Sequence, residues 1–174
     1  MRKLDAGEAN VERLNSNHDR ASFHCGNADL DRYLQQQAGQ DARRKLAAVY
    51  VLTFDGRAIG GYYTLSSTLV EPTGISDDLS KKLPRNSVPA TLLGRMAIGQ
   101  PAQGRGWGEY LLLHALRTAL HASATIASWA LIVDAKPHAR AFYQKYSFIP
   151  MLYPPGQLLL PMRAIAVLFP DESS

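Results

Sequence analysis

Apolar positions along the chain follow two different spacings, and these spacings predict a succession of helices and strands. The first stripe recurs at three- and four-residue intervals and consists of Leu30, Tyr33, Leu34 and Ala38. Asn27 precedes this stripe and has the side chain of a helix N-cap. We therefore expect a helix from Asn27 to about Leu46.

Two segments rich in β-branched and aromatic residues come next, A-V-Y-V-L-T-F and I-G-G-Y-Y-T-L-S-S. The pair Asp55-Gly56 between them is typical of a hairpin turn. Residues 71–90 contain three prolines, so we expect a loop there, with a short helix near Ile75–Leu79. A buried strand is expected over Thr91–Ile98.

The second half of the chain continues with the same alternation. A helix is expected over Trp107–Ala122, followed by a strand at W-A-L-I-V-D-A. Pro137 can occupy the first position of a helix that runs to about Tyr146. Phe148–Tyr153 and Leu158–Ala166 are expected to be two closing strands.

Length and composition suit one folded domain. The chain has 174 residues, of which 46% are hydrophobic and 20% charged, and it has neither a repeat nor a linker. We expect a single α/β domain over residues 1–174, with a frayed tail at 171–174. No apolar run approaches the roughly 20 residues that cross a membrane, and no signal sequence follows Met1, so a cytoplasmic protein is expected. Cys25 is the single cysteine and no histidine has a partner at ligand spacing, so no metal site is expected.

Charge is unevenly distributed along the chain. Residues 79–163 contain ten lysines and arginines but two acids, a local balance of +8, whereas the remaining residues carry −4. The basic part also contains a glycine-rich loop. This favours an anionic ligand or a polyanionic partner, although a solvated basic surface is an equally good interpretation of the charge alone.

The glycine-rich loop reads Q-G-R-G-W-G-E and lies between a strand and a helix. It lacks the Gly-Lys-Ser/Thr of a nucleoside triphosphate loop, and Glu109 stands where the dinucleotide fingerprint needs glycine. The pattern is Gln103-x-x-Gly106-x-Gly108. Free N–H groups at a helix start favour a pyrophosphate, and Arg105 can add a charge-assisted contact. A tight turn without a ligand is the alternative.

The motifs together resemble a known family. Q-G-R-G-W-G and A-F-Y-Q-K-Y-S-F are similar to the pyrophosphate loop and the A-x-x-F-Y-x-x-x-G-F signature of the GNAT superfamily of acetyl-coenzyme A-dependent N-acetyltransferases. F-H-C-G-N-A-D-L-D-R-Y-L, G-G-Y-Y-T-L-S-S, V-P-A-T-L-L-G-R-M-A-I and V-D-A-K-P-H-A-R-A-F-Y resemble its branch of acetyltransferase toxins from bacterial toxin–antitoxin pairs. The resemblance implies a mixed, mostly antiparallel sheet that splays between its two central strands and is flanked by helices.

The resemblance also implies roles for particular residues. Tyr143 is implied to be the catalytic residue. The residues implied to bind acetyl-coenzyme A are Met96, Ala97, Ile98, Gln103, Gly104, Arg105, Gly106, Trp107, Gly108, Asp134 and Phe142. The basic residues near the active-site strands, candidates for gripping substrate phosphates, are Arg95, Lys136, Arg140 and Lys145.

Chemistry agrees with a tyrosine in this role. A phenol with a reference pKa of about 10 can protonate a leaving thiolate whose conjugate acid titrates near 8.5. From the pattern alone, Tyr143 could instead be half of a buried aromatic pair with Phe142. Asp134 could orient an amine or a water, or it could cap the next helix. The chain departs from the family at Ser147, which replaces a glycine, and at Trp107, which replaces a smaller aliphatic residue.

The function implied is that of a toxin that acetylates the α-amino group of aminoacyl-tRNA and thereby blocks translation. A cognate ribbon-helix-helix antitoxin and a homodimer are implied as well. Two alternatives stay open: an N-acetyltransferase for a small amine or a protein amino group, and a module that binds acetyl-coenzyme A or antitoxin without turnover.

Overall fold

Strands and helices alternate through the computed structural model, which describes residues 9–172. The strands are β1 (Asn10–Arg13), β2 (Ala48–Thr53), β3 (Ile59–Val70), β4 (Val88–Ile98), β5 (Ala130–Asp134), β6 (Ile149–Pro150) and β7 (Gln157–Pro161). The α-helices are α1 (Ala28–Arg32), α2 (Ala38–Arg43), α3 (Asp77–Ser80), α4 (Trp107–Thr125), α5 (Arg140–Gln144) and α6 (Met162–Leu168). A π-helical turn, Tyr33–Gln37, joins α1 to α2.

The strands form a seven-stranded sheet in the order β1-β2-β3-β4-β5-β7-β6. The β1–β2, β2–β3, β5–β7 and β6–β7 pairs are antiparallel, whereas β4 and β5 are parallel, with Thr91 opposite Leu131 and Leu93 opposite Val133. The fold is therefore a mixed α/β fold with a mostly antiparallel open sheet and flanking helices, as the sequence predicted. That its two central strands splay apart stays a prediction.

The chain forms two compact units. Within the described residues, one contains the chain up to Ser66 together with Arg95–Ala115, and the other contains Ser67–Gly94 together with the chain from Leu116 to residue 172. The expectation of a single domain over residues 1–174 is not decided by this division. Of the tail expected to fray, Asp171 and Glu172 belong to a 3-10 turn that starts at Pro170, and residues 173 and 174 lie outside the described part.

The core of the first unit forms where the apolar stripe of the first helical segment packs on β2 and β3. Tyr33, Leu34 and Ala38 are buried there with Val49, Val51 and Tyr62. The Asn27 side chain accepts the N–H groups of Asp29 and Leu30 over 3.0 and 3.2 Å. These two hydrogen bonds confirm the predicted helix start. A cap of this kind contributes about 1 kcal/mol to the stability of the helix. The helix ends at Arg43 rather than Leu46, because the chain turns through Lys45 at a φ of 60°.

The second unit departs from the prediction near the carboxyl end. The strand expected over Leu158–Ala166 is β7 followed by the helix α6, and the strand expected over Phe148–Tyr153 shrinks to Ile149–Pro150. In α6, Met162 and Ile165 are buried three residues apart while Val167 is exposed. A continuous apolar run fits both a strand and a helix, and burial on one helical face decides this one.

Three smaller differences complete the comparison. The sequence analysis missed β1, a four-residue strand paired with β2. β4 begins at Val88, inside the loop expected over residues 71–90, and α3 begins two residues after the start of the short helix expected near Ile75–Leu79 and overlaps it. Among residues 9–172, no helix is both long and apolar enough to span a membrane.

Candidate active site

The glycine loop connects β4 to α4 in the first unit. Gly104 and Gly106 adopt φ values of 75° and 84°, the left-handed region that glycine enters at little cost. A Cβ built at either position meets no atom within 4 Å, so conformation rather than crowding requires glycine there. Gly104, Arg105 and Gly106 are exposed. The loop backbone is therefore open to a ligand.

The start of α4 provides the donors for such a ligand. The first N–H groups of a helix have no acceptor within the helix, and the helix dipole makes this end partly positive. α4 has 19 residues and begins at Trp107, immediately after Gly106. A pyrophosphate fits this arrangement of positive-φ glycines, free N–H groups and the exposed Arg105 guanidinium.

The Gln103 side chain holds the loop in place. Its amide donates to the carbonyl oxygens of Cys25 and Ile98, each over 2.8 Å. The N–H of Gln100 also donates to the carbonyl of His24 over 2.8 Å. The loop is therefore anchored to the segment that precedes α1, and Gln103 has its backbone, rather than its side-chain amide, to offer to a ligand.

Trp107 packs on protein. Its ring meets Phe54 and Tyr110 edge-to-face, with centroids 4.9 and 5.3 Å apart, and the residue is 9% exposed.

The residues implied to bind acetyl-coenzyme A through their backbone lie at the end of β4. Ala97 is buried, and Met96 and Ile98 are half-buried. The first unit thus brings Met96–Ile98 and residues 103–108 together on consecutive segments.

Arg95 lies at the beginning of the same segment and has an unusual environment. Its guanidinium carbon is 3.6 Å from the centre of the Tyr33 ring, a cation–π contact. The Tyr33 hydroxyl donates to Asp41 over 2.8 Å, and the Arg95 N–H donates to the Thr64 hydroxyl over 3.1 Å. Within residues 9–172, the guanidinium has no carboxylate partner. The sequence analysis missed Tyr33 as the partner of Arg95, because 62 positions separate them and nothing in either local pattern links them.

Tyr143 lies on α5 in the second unit and is 7% exposed. Its ring meets Phe142 and Phe148 edge-to-face at 5.2 and 5.5 Å. This burial raises the pKa of Tyr143 to about 12, so the phenol stays protonated at neutral pH. Such a group can donate a proton but is not a base. The aromatic packing that the pattern presented as one alternative is present, and the acid role stays a prediction.

The turn after α5 accommodates the departure at Ser147. This residue takes a φ of 71°, the conformation for which the family's glycine is suited. Ser147 donates its N–H to the Gln144 carbonyl over 3.0 Å, and Tyr146 packs edge-to-face on Phe142. The turn therefore keeps the left-handed residue without glycine.

The remaining candidates of the second unit are mostly exposed. Asp134 ends β5 at the surface, and the helical turn after it has Lys136 as N-cap residue without a side-chain cap, so Asp134 does not cap it. Lys136 and Lys145 are exposed and Arg140 is half-buried.

Two further observations concern metal ligands and the cysteine. Within residues 9–172, no three His, Cys, Asp or Glu side chains cluster as a metal site would require. Cys25 is half-buried, and burial together with Asp31 raises the pKa of its thiol to about 11. A thiol in that state is a poor nucleophile at neutral pH.

The comparisons with known proteins identify the family. A family model described as "Acetyltransferase (GNAT) domain" matches residues 83–162. The "tRNA-acetylating toxin" of Mycobacterium tuberculosis is 31% identical over 167 residues, which are 95% of this chain and 99% of the relative.

Solved structures match over a similar length. AtaT complexed with acetyl-methionyl-tRNAfMet is 31% identical, with a TM-score of 0.86 over 92% of this chain and 99% of AtaT. A tyrosine-to-phenylalanine mutant of AtaT bound to the C-terminus of the antitoxin AtaR and acetyl-CoA is 28% identical, with a TM-score of 0.81 over 93% of this chain and 98% of the mutant. The resemblance inferred from the sequence is confirmed: the chain belongs to the GNAT acetyltransferases, in the family of the tRNA-acetylating toxins.

Proposed function

We propose that this protein acetylates the α-amino group of aminoacyl-tRNA with acetyl-CoA, and so blocks translation as the toxin of a toxin–antitoxin pair. The observation that carries the choice of acceptor is the end-to-end similarity to AtaT, which was solved with acetyl-methionyl-tRNAfMet. The glycine loop at the start of α4 independently supports the donor, because it suits a pyrophosphate. Bound acetyl-CoA supplies the activated acetyl group as a thioester.

The donor is held mainly by backbone in this proposal. The N–H groups of Gly104–Gly108 bind the pyrophosphate with help from the Arg105 side chain, and Met96–Ile98 offer backbone groups to the pantetheine arm. Trp107 and Phe142 contribute apolar surface. Because Gln103 already uses its side-chain amide on Cys25 and Ile98, it acts here as an anchor of the loop.

Tyr143 is the general acid in this proposal. The acceptor amine attacks the thioester carbon, the carbon–sulfur bond breaks, and the departing sulfur takes the phenolic proton. The attacking nitrogen loses one proton to solvent as the amide forms, and the phenolate regains a proton from solvent. An α-amino group titrates near 7.7–8.0, so a useful fraction is neutral without a strong base. The pKa of Tyr143, about 12, means that the phenol carries its proton at neutral pH, as a general acid must. Asp134 is proposed to orient the amine or a water.

The acceptor RNA is gripped through its phosphates. Arg95, Lys136, Arg140 and Lys145 are the proposed contacts, and Arg95 has the strongest support. It is a half-buried cation without a carboxylate partner in the described part of the chain, and its guanidinium carbon lies over the Tyr33 ring. A planar guanidinium of this kind suits bidentate contact with a phosphate.

The wider setting follows from the same proposal. The partner is a cognate ribbon-helix-helix antitoxin, in line with the antitoxin AtaR bound by the mutant of AtaT. We further propose a homodimer, one acetyltransferase domain per chain, and a cytoplasmic location, where charged tRNA is found.

The test is transfer of label from acetyl-CoA to total charged bacterial tRNA. We expect label in charged tRNA, none in uncharged tRNA, and a loss of at least 100-fold in Tyr143→Phe, the scale typical of a general acid. Tyr146→Phe is the matched control, since it removes a hydroxyl one turn away, and it should stay active. Transfer to small amines or peptides but not to charged tRNA would contradict the acceptor and favour the alternative acetyltransferase.

A further inference from the structure

Gly39 lies inside α2 and is buried, although it has no side chain to bury. The group that covers it is the guanidinium of Arg20. A Cβ built on Gly39 would collide with Nη1 of Arg20 and lie 3.2 Å from its Cζ. Glycine in a helix interior costs about 1 kcal/mol relative to alanine. Glycine therefore occurs, despite this destabilisation, at a position where any side chain would displace the Arg20 guanidinium.

A second arginine reaches the same place. Arg43 follows Gly39 by one helical turn, and its Nη1 atom lies 3.4 Å from the same built Cβ. Two guanidinium groups therefore converge over one bare stretch of helix. Like charges repel at such short range, so a convergence of this kind is favourable when an anion lies between them.

No carboxylate of the described residues 9–172 neutralises this pair. Neither Arg20 nor Arg43 forms an ion pair there. The nearby acid Asp41 accepts the Tyr33 hydroxyl over 2.8 Å. The Asp31 carboxylate contacts the His24 ring, with Oδ2 3.0 Å from Nδ1. The two arginines are left with unused donors.

Arg20 also lines a surface depression of about 380 Å³. Its polar wall includes Ser16, Asn17, Gln35 and Arg57. Asp19 lies on the same wall, and its carboxylate accepts the N–H of Ser22 over 3.3 Å. The depression thus offers hydroxyl and amide donors beside Arg20 and Arg57, a set that suits a phosphate.

We propose that Arg20 and Arg43, converging on Gly39, form a phosphate-binding site for the backbone of the acceptor RNA. The proposal rests on the proposed function and adds a contact on the first helical segment to those of the basic residues 79–163. The charge pattern did not reveal it, because this segment belongs to the part of the chain with a net charge of −4. The guanidinium fork matches two phosphate oxygens, and each such contact adds to the salt dependence of binding.

The experiment measures the dissociation constant of uncharged bacterial tRNA against salt concentration. Arg20→Met and Arg43→Met keep the apolar stem and remove the charge. We expect each to weaken binding about five-fold or more and to lower the salt slope by about one. Arg32→Met is the matched control, because Arg32 lies on the same helical segment but is paired with Asp29 at 3.2 Å. It should change binding less than about two-fold.

Gly39→Ala sharpens the test. This substitution leaves the net charge unchanged and favours the helix, so a failure to fold is not expected. Its methyl group displaces the Arg20 guanidinium, and tRNA binding should weaken nearly as much as in Arg20→Met. Acetyl-CoA binding, measured in parallel, should stay within about two-fold of wild type in all these variants.

Three results would overturn the phosphate-binding site, and a fourth would retain the site but reject the proposed function. The site is overturned if Arg20→Met and Arg43→Met bind tRNA like Arg32→Met, or if the wild-type protein binds no tRNA. It is also overturned if acetyl-CoA binding weakens while tRNA binding does not, since the phosphate would then belong to the donor. A wild-type protein that binds tRNA through these arginines but transfers no acetyl group to charged tRNA would retain the site and reject the proposed function.

Discussion

The guanidinium carbon of Arg95 lies over the ring of Tyr33, 3.6 Å from its centre, and Arg95 directly precedes Met96–Ile98 at the end of β4. Tyr33 is itself fixed, because its hydroxyl donates to Asp41 and it begins the π-helical turn. Turns of this rare type occur often at functional sites. A cation held in this way has lost much of its side-chain freedom before it meets a ligand, which reduces the entropic cost of binding.

This relationship predicts a selective effect on the acceptor. Arg95→Gln should raise the KM for charged tRNA about ten-fold and leave the KM for acetyl-CoA within about two-fold, because the lost group contacts RNA phosphate. Tyr33→Leu should have a weaker effect in the same direction, whereas Tyr33→Phe keeps the ring and should resemble wild type. Steady-state kinetics with each substrate varied in turn would check this. An increase confined to the KM for acetyl-CoA would assign Arg95 to the donor.

The anchoring of the loop by Gln103 predicts the opposite selectivity. Gln103→Glu replaces an amide donor by a carboxylate facing the carbonyl oxygens of Cys25 and Ile98, an arrangement that repels. The loop should loosen, and the KM for acetyl-CoA should rise about ten-fold with little change for tRNA. Gln36→Glu, at an exposed position, is the control for the added charge. Unchanged acetyl-CoA binding in Gln103→Glu would mean that the anchor does not shape the loop.

Burial of Tyr143 predicts a loss of stability at high pH. The pKa of Tyr143 is about 12 in the folded protein and about 10 when unfolded. Between these values the unfolded chain releases the proton while the folded chain keeps it, so the free energy of unfolding falls as pH rises through this window. The loss attributable to this residue is on the order of 2–3 kcal/mol by pH 12, and there is none below about pH 9. Denaturant titrations from pH 8 to 12 should show a shallower decline in Tyr143→Phe, and equal slopes would refute this prediction.

Ser147 predicts a stabilising substitution. A non-glycine residue in the left-handed region costs about 1 kcal/mol or more, and Ser147 adopts a φ of 71°. Ser147→Gly should therefore raise the unfolding free energy by about 0.5–1 kcal/mol and the Tm by about 1–4 °C. Lys45→Gly, at a φ of 60°, should act in the same direction. Thermal unfolding measures both, and a lower Tm for Ser147→Gly would show that the serine makes a compensating contact.

The sequence predicted those parts of the molecule whose determinants are local. Asn27 caps its helix, the glycine loop connects a strand to a helix, and the stripe around Leu34 is buried in the core of the first unit, because each depends on residues a few positions apart. β1 escaped prediction because four residues carry little periodicity, and its strand character comes from pairing with β2.

Tertiary contacts determined the remaining features. The apolar run after Gln157 fits a strand or a helix equally well, and packing of Met162 and Ile165 made its second part α6. The Arg95–Tyr33 contact and the anchoring of Gln103 on Cys25 join residues 62 and 78 positions apart. No local pattern predicts such pairs. The candidate site was therefore predictable in its residue types and loop, but not in the contacts that hold its side chains.

The most direct test of the central claim identifies the atom that receives the acetyl group. Charged tRNA is incubated with acetyl-CoA and either the wild-type protein or Tyr143→Phe, then digested with nuclease, and the released aminoacyl-adenosine is analysed by fragmentation mass spectrometry. We predict one added acetyl group on the α-amino nitrogen with the wild-type protein, and unmodified aminoacyl-adenosine with Tyr143→Phe. Unmodified aminoacyl-adenosine from the wild-type reaction, while the protein transfers acetyl groups to other amines, would contradict the account.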